Sequence, residues 1–223
     1  MSEGNKVELI EYTRKQDISF CVSHAAGAVF GVFALIASFI KTGAFGSITQ
    51  QISALVYCLS FIAVYGISAV YHGLKPGHTK AVMRRLDHIA IPVLLAGTTT
   101  PCALVSLYRV SHIHGIIVFC AGWLIALIGV ISKVFFFNNE KLKAVCMAVY
   151  FIGGAAMLFS AVPLLGNISS EGFMFLLLGC VLYGIGAVFC RIGMKKPIYH
   201  LHFHILVLLG SIIHFFTIYH YVL

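Results

Sequence analysis

From Pro197 to Leu223 the chain reads PIYHLHFHILVLLGSIIHFFTIYHYVL. No Asp, Glu, Lys or Arg interrupts these 27 residues, although five histidines do. An α-helix rises 1.5 Å per residue, and roughly 20 apolar residues cross the ~30 Å hydrocarbon core of a bilayer. A run this long without a charge reads as a membrane helix, not as the amphipathic helix of a soluble core. Working outward, the same pattern recurs at Ile18–Ile40, Gln51–Leu74, His88–Tyr108, His112–Ser132, Ala144–Leu165 and Gly172–Cys190, with Asp87 at the lip of the third run. None shows the apolar–polar alternation of a barrel strand. The expected fold is an all-α integral membrane protein, a seven-transmembrane-helix bundle. Residues 1–17 are expected to form a cytoplasmic tail and 18–223 a single transmembrane domain. The first run is too long, and its flank too mixed in charge, for a signal peptide.

Composition agrees. Of the 223 residues 60% are hydrophobic and 10% charged, against about 25% charged in soluble domains. The formal charge of +8 does not indicate a nucleic-acid binder, because the basic residues fall in short connectors instead of on one patch. They also sort by side. Thirteen of the 15 Lys and Arg lie in the N-terminal segment and the second, fourth and sixth connectors; Lys41 and Arg109 alone lie on the other side. By the positive-inside rule the N-terminus is cytoplasmic and the C-terminus outside. Adding or removing one span would destroy this sorting. The seven cysteines lie in or at the ends of the runs without a CxxC pair, which argues against a disulfide framework. Gly27 and Gly31 form a small-xxx-small pair suited to close helix contact.

Ionisable residues inside spans are candidates for function. In this topology His24, Ser68 and His72, Asp87, and His200 and His204 fall at similar cytoplasmic-side depth on four segments. His200 and His204 are four apart and share a helix face. An i, i+4 histidine pair can ligate one metal ion, and a third imidazole completes a three-ligand catalytic zinc set. Imidazole without clustered carboxylates favours zinc over Mg or Ca, while iron, copper and nickel accept the same ligands. Each residue also has a plainer reading. His200 and His204 suit an interfacial helix start, and His72 a helix boundary. Ser68 could bond its own helix backbone, and Asp87 could pair with Arg84 or Arg85. His24 reads as a polar contact between helices and His214 as a packing or hydrogen-bonding residue. His202 points away from the pair and is excluded as a ligand. Thr98–Thr100, ahead of Pro101, read as repairing backbone bonds near the proline.

Ser68-Ala-Val-Tyr-His72, Arg85-Leu-Asp87-His-Ile-Ala-Ile, Ala96-Gly-Thr-Thr-Thr-Pro101 and His200-Leu-His-Phe-His204, with His214-Phe beyond, resemble the hemolysin III family. That family is the bacterial branch of the progestin and adiponectin Q receptor group. The resemblance runs from Ser23-His24 to His214. It implies seven helices and a zinc ion on His72, His200 and His204, with Asp87 at the zinc-bound water and Ser68 supporting the site. Through the wider superfamily it implies hydrolysis of a ceramide-like lipid amide, a membrane lipid or acyl chain being the substrate, in membrane lipid homeostasis. The family often carries an acid and an Asn ahead of the first-helix His; here Asp17 supplies the acid and Phe20 stands at the Asn position. The alternatives are a non-catalytic lipid sensor or receptor with a structural zinc, a pore-forming hemolysin, and a membrane cytochrome with His72 opposite His204.

Overall fold

A computed structural model describes residues 12–160 and 169–223. Among these residues the chain is helical, with no strand. The helices are α1 (Arg14–Phe45), α2 (Ile48–Gly73), α3 (His78–Pro101), α4 (His112–Phe135), α5 (Glu140–Ser160), α6 (Ser170–Gly193) and α7 (Pro197–Tyr221). A wide π turn, Cys102–Leu107, and a last short turn, Tyr108–Val110, prolong α3. Six helices among the described residues are long and apolar enough to cross a membrane, namely α1, α2, extended α3, α4, α6 and α7. The expected fifth run, Ala144–Leu165, corresponds to α5 up to Ser160; its end lies outside the described residues.

Local sequence sets the helix starts. Thr13 with Gln16, and Ser47 with Gln50, close reciprocal capping boxes at α1 and α2, satisfying N–H groups that the first turn leaves without partners. Ser111 and Ser169 cap α4 and α6 through the His114 and Gly172 amides. Pro197 opens α7 at a position where its missing N–H costs nothing.

The third helix departs from expectation. It begins at His78, ten residues before the expected boundary. Lys80, Arg84 and Arg85 therefore ride on the helix and do not form a connector, and Asp87 lies more than two turns inside it, not at its opening. Charge marks the edge of an apolar run but does not end a helix, and Lys80 is fully enclosed by the protein. Thr98, Thr99 and Thr100 each donate to a carbonyl of their own helix, at Leu94, Ala96 and Ala96. The carbonyl opposite Pro101, that of Gly97, is not among these acceptors.

Each helix packs on the next, and α7 returns to α1, closing a ring. Close approach of α1 and α2 depends on the two glycines read from the sequence. A Cβ at Gly27 would lie 2.6 Å from the Tyr65 ring, and one at Gly31 would lie 2.8 Å from Ile62. Tyr65 in turn hydrogen-bonds the Ser211 hydroxyl at 2.6 Å, as does Tyr183, so α2, α6 and α7 share one buried polar node. His214 donates from Nε2 to the Leu176 carbonyl at 3.0 Å and packs on Gly179, in keeping with its expected role. All seven cysteines are free thiols.

Replacing Gly27 by Val is expected to lower stability by about 1–3 kcal/mol through overpacking. Gly43, on the same helix with open space around it, should tolerate Ala. Thermal unfolding of both variants in detergent checks the contrast, and equal losses would contradict the packing account.

Candidate metal centre

The starts of α1, α3 and α7 and the end of α2 meet at one end of the ring. The last turn of α2 presents His72, and the first two turns of α7 present His200 and His204. One ring nitrogen from each lies within 4.8 Å of the other two, so the group could hold a metal ion. His200 Nε2 and His204 Nε2 are 3.1 Å apart. A tetrahedral zinc site with bonds of about 2.0–2.1 Å sets its donors roughly 3.4 Å apart; the α7 pair has close to that spacing, with His72 facing it.

Two of the three outer nitrogens are held in place. His72 Nδ1 donates to Asp17 Oδ1 at 3.1 Å. The Ser23 hydroxyl donates to the Phe20 carbonyl at 2.8 Å, so it accepts from His204 Nδ1, 3.1 Å away. Fixing the proton on Nδ1 leaves Nε2 with its lone pair free, which is how partners behind a ligand orient it and raise its basicity. Asp17 is itself paired. Lys80 Nζ donates to Asp17 Oδ2 at 2.5 Å and to the Leu74 carbonyl at 3.2 Å. Asp17 is 5% exposed and Lys80 2%. Isolated, either charge would be costly at that burial.

Aromatic rings complete the enclosure. Phe20 lies 5.1, 4.9 and 5.3 Å from the rings of His72, His200 and His204. Tyr12 stacks on His200 at 5.4 Å; burial pushes its phenol well above the ordinary range, keeping the proton on. His24 stacks on His204 at 3.7 Å and meets the Tyr65 ring at 5.1 Å. It thus bridges α1 to α2 and α7 by ring contact. The Tyr12 hydroxyl and both His24 ring nitrogens are buried without a hydrogen-bond partner. Such orphaned groups mark places where water or a ligand belongs. Converging imidazoles, two of them with anchored outer nitrogens, and unsatisfied polar atoms nearby all suit a resident divalent cation.

The structure brings together the three histidines expected from the sequence. Ser68, one turn before His72, is buried, and Asp87 lies close to it with Arg84 also in its surroundings. His202 is exposed on the other face of α7, bonded to the Ile198 carbonyl. The roles of Ser23, Lys80 and Phe20 are visible only in space. Asp17 had a sequence signal, a lone acid seven residues before His24, but nothing there pointed to His72.

Fold and site define a multi-pass, all-helical membrane protein with a histidine cluster at one end of its bundle. Comparison with known proteins agrees. The family model described as "Haemolysin-III related" matches residues 12–215, and the chain belongs to that family. It is 32% identical over 210 residues to "Hemolysin-3 homolog" of Bacillus subtilis (strain 168), covering 94% of this chain and 96% of the relative. It is 32% identical to "Hemolysin-3" of Bacillus cereus, covering 94% and 93%. A more distant relative is "Monocyte to macrophage differentiation factor" of Homo sapiens, 23% identical over 90% of this chain and 85% of that protein.

Asp17→Asn is expected to weaken divalent-ion binding about 10–100-fold, the usual effect of losing a partner behind a ligand. Zinc titration by calorimetry measures it; unaltered affinity would show that Asp17 only holds helices together.

Proposed function

We propose that this haemolysin III-related protein holds zinc on His72, His200 and His204 and hydrolyses the acyl amide of a ceramide-like membrane lipid, with a role in membrane lipid homeostasis. The proposal includes a seven-span bundle in which α5 begins the fifth span, the N-terminus is cytoplasmic and the C-terminus outside. It rests on one observation: three ring nitrogens converge within 4.8 Å from two helices distant in sequence.

Zinc bound by three neutral imidazoles supplies Lewis acidity and an activated water near neutral pH. The remaining work falls to the protein. Asp87 accepts, at a carboxylate oxygen, the proton released as water adds to the acyl carbon. It returns that proton to nitrogen as the C–N bond breaks, so amide and water become fatty acid and amine. Ser68 donates a hydrogen bond to this carboxylate and orients it. The support for these roles is the proximity of Asp87 to Ser68, one helical turn before His72. Phe20, Tyr12 and His24 exclude bulk water from the cluster.

His204→Ala is expected to abolish stoichiometric zinc in the purified protein, measured by elemental analysis; retained zinc removes the proposed site. Asp87→Asn is expected to keep zinc but lower amide hydrolysis about 10²–10⁴-fold. Lipid profiles of cells with and without the protein identify the amide to assay, and undiminished turnover in Asp87→Asn removes the general base.

A further inference from the structure

Between the start of α1 and the start of α7 lies a groove with a cavity of about 160 Å³. Its α1 wall is polar: Lys15, Gln16 and Ser19. Its α7 wall is apolar: Pro197, Ile198 and Leu201. Phe20 also lines it, and the same Phe20 ring touches all three site histidines. One buried side chain therefore separates the groove from the imidazole cluster.

The size and chemistry of the groove select an occupant. A water needs about 10–15 Å³ by the same kind of measure, so the space takes a headgroup but not a whole lipid. Lys15 stands on one wall, and Lys195 and Lys196 immediately precede Pro197 on the other. All three are exposed, and among the described residues none has an ion-pair partner. Beyond the groove, Val22 on α1 and Ile205 on α7 are 62% and 45% exposed, an apolar surface for a chain to lie on. A cationic mouth, a small cavity with one polar and one apolar wall, and an apolar continuation together match an anionic lipid at the membrane surface.

We propose that the α1–α7 groove binds the phosphate headgroup of an anionic membrane lipid, and that Phe20 is the partition between this headgroup site and the histidine cluster. This goes beyond the proposed function and does not rest on it: a ceramide-like amide carries no phosphate, so the anionic lipid is a neighbour of the histidine cluster and not its substrate.

The test uses full-length, metal-free protein in detergent, with retained phosphatidylglycerol counted by native mass spectrometry. Lys15→Gln combined with Lys196→Gln is expected to lower retention about tenfold, and Ile198→Trp, which fills the groove with both lysines intact, to lower it similarly. Lys75→Gln, an exposed lysine outside the groove at the same end, should change it less than twofold. Equal loss in Lys75→Gln, or equal retention of phosphatidylcholine by the wild type, overturns the headgroup site. For the partition, phosphatidylglycerol with a headgroup diazirine should crosslink α1 and α7 in the wild type and reach the His72 segment only in Phe20→Ala. Crosslinking of α2 in the wild type, or none in Phe20→Ala, overturns it. His204→Ala is expected to leave lipid retention unchanged, so a failed zinc assay and a failed headgroup site are separate results.

Discussion

The Asp17 carboxylate joins three helices at the end of the bundle. One oxygen receives His72 Nδ1 from α2 and the other receives Lys80 Nζ from α3, while Asp17 itself stands in the first turn of α1. With side chains this buried, losing one partner leaves an uncompensated charge, a defect that typically costs about 3–5 kcal/mol. The pairing is therefore mutual, and it also fixes which nitrogen of His72 faces the other histidines. The same contact that closes the bundle end sets the chemistry of the cluster.

Deeper in the bundle the rule changes from charge to shape. With lipid outside, helices gain little from hydrophobic association and rely on close packing and hydrogen bonds. Gly27 and Gly31 let α1 lie against Tyr65 and Ile62, and Tyr65 is then able to reach Ser211 on α7. His24 stands between these layers, stacked on His204 above and in edge contact with Tyr65 below. Displacing α1 would therefore disturb the site through packing as well as through Asp17.

Much of this could be read directly from residue order. Charge-free runs located the helices because a bilayer demands length and apolarity, both local properties. The histidine trio was legible because i, i+4 spacing fixes His200 and His204 on one face, and topology brings the end of α2 beside the start of α7. The start of α3 was not legible. Lys80, Arg84 and Arg85 look like connector residues until Asp17 supplies a buried partner, and that partner is 63 residues away from Lys80. Ser23 was hidden for a similar reason: its role is an acceptor for His204, 181 residues on. Patterns along a chain report periodicity, whereas pairing across helices depends on rotamers and register.

Negative charge near the cluster is scarce, and the one acid bonded to it is already paired with Lys80. The protein carries +8 overall, and basic residues crowd the end of the bundle where the histidines lie. The sequence contains two aspartates, Asp17 and Asp87; Asp17 is bonded to His72 on α2, and Asp87 lies near Ser68 one turn earlier on the same helix. Asp17 is neutralised by Lys80 and so acts on His72 as a hydrogen-bond acceptor with little net charge. Asp87 lies near the Ser68 hydroxyl and Arg84. The two acids thus differ in setting: Asp17 is spent on His72 and Lys80, and Asp87 forms no salt bridge among the described residues.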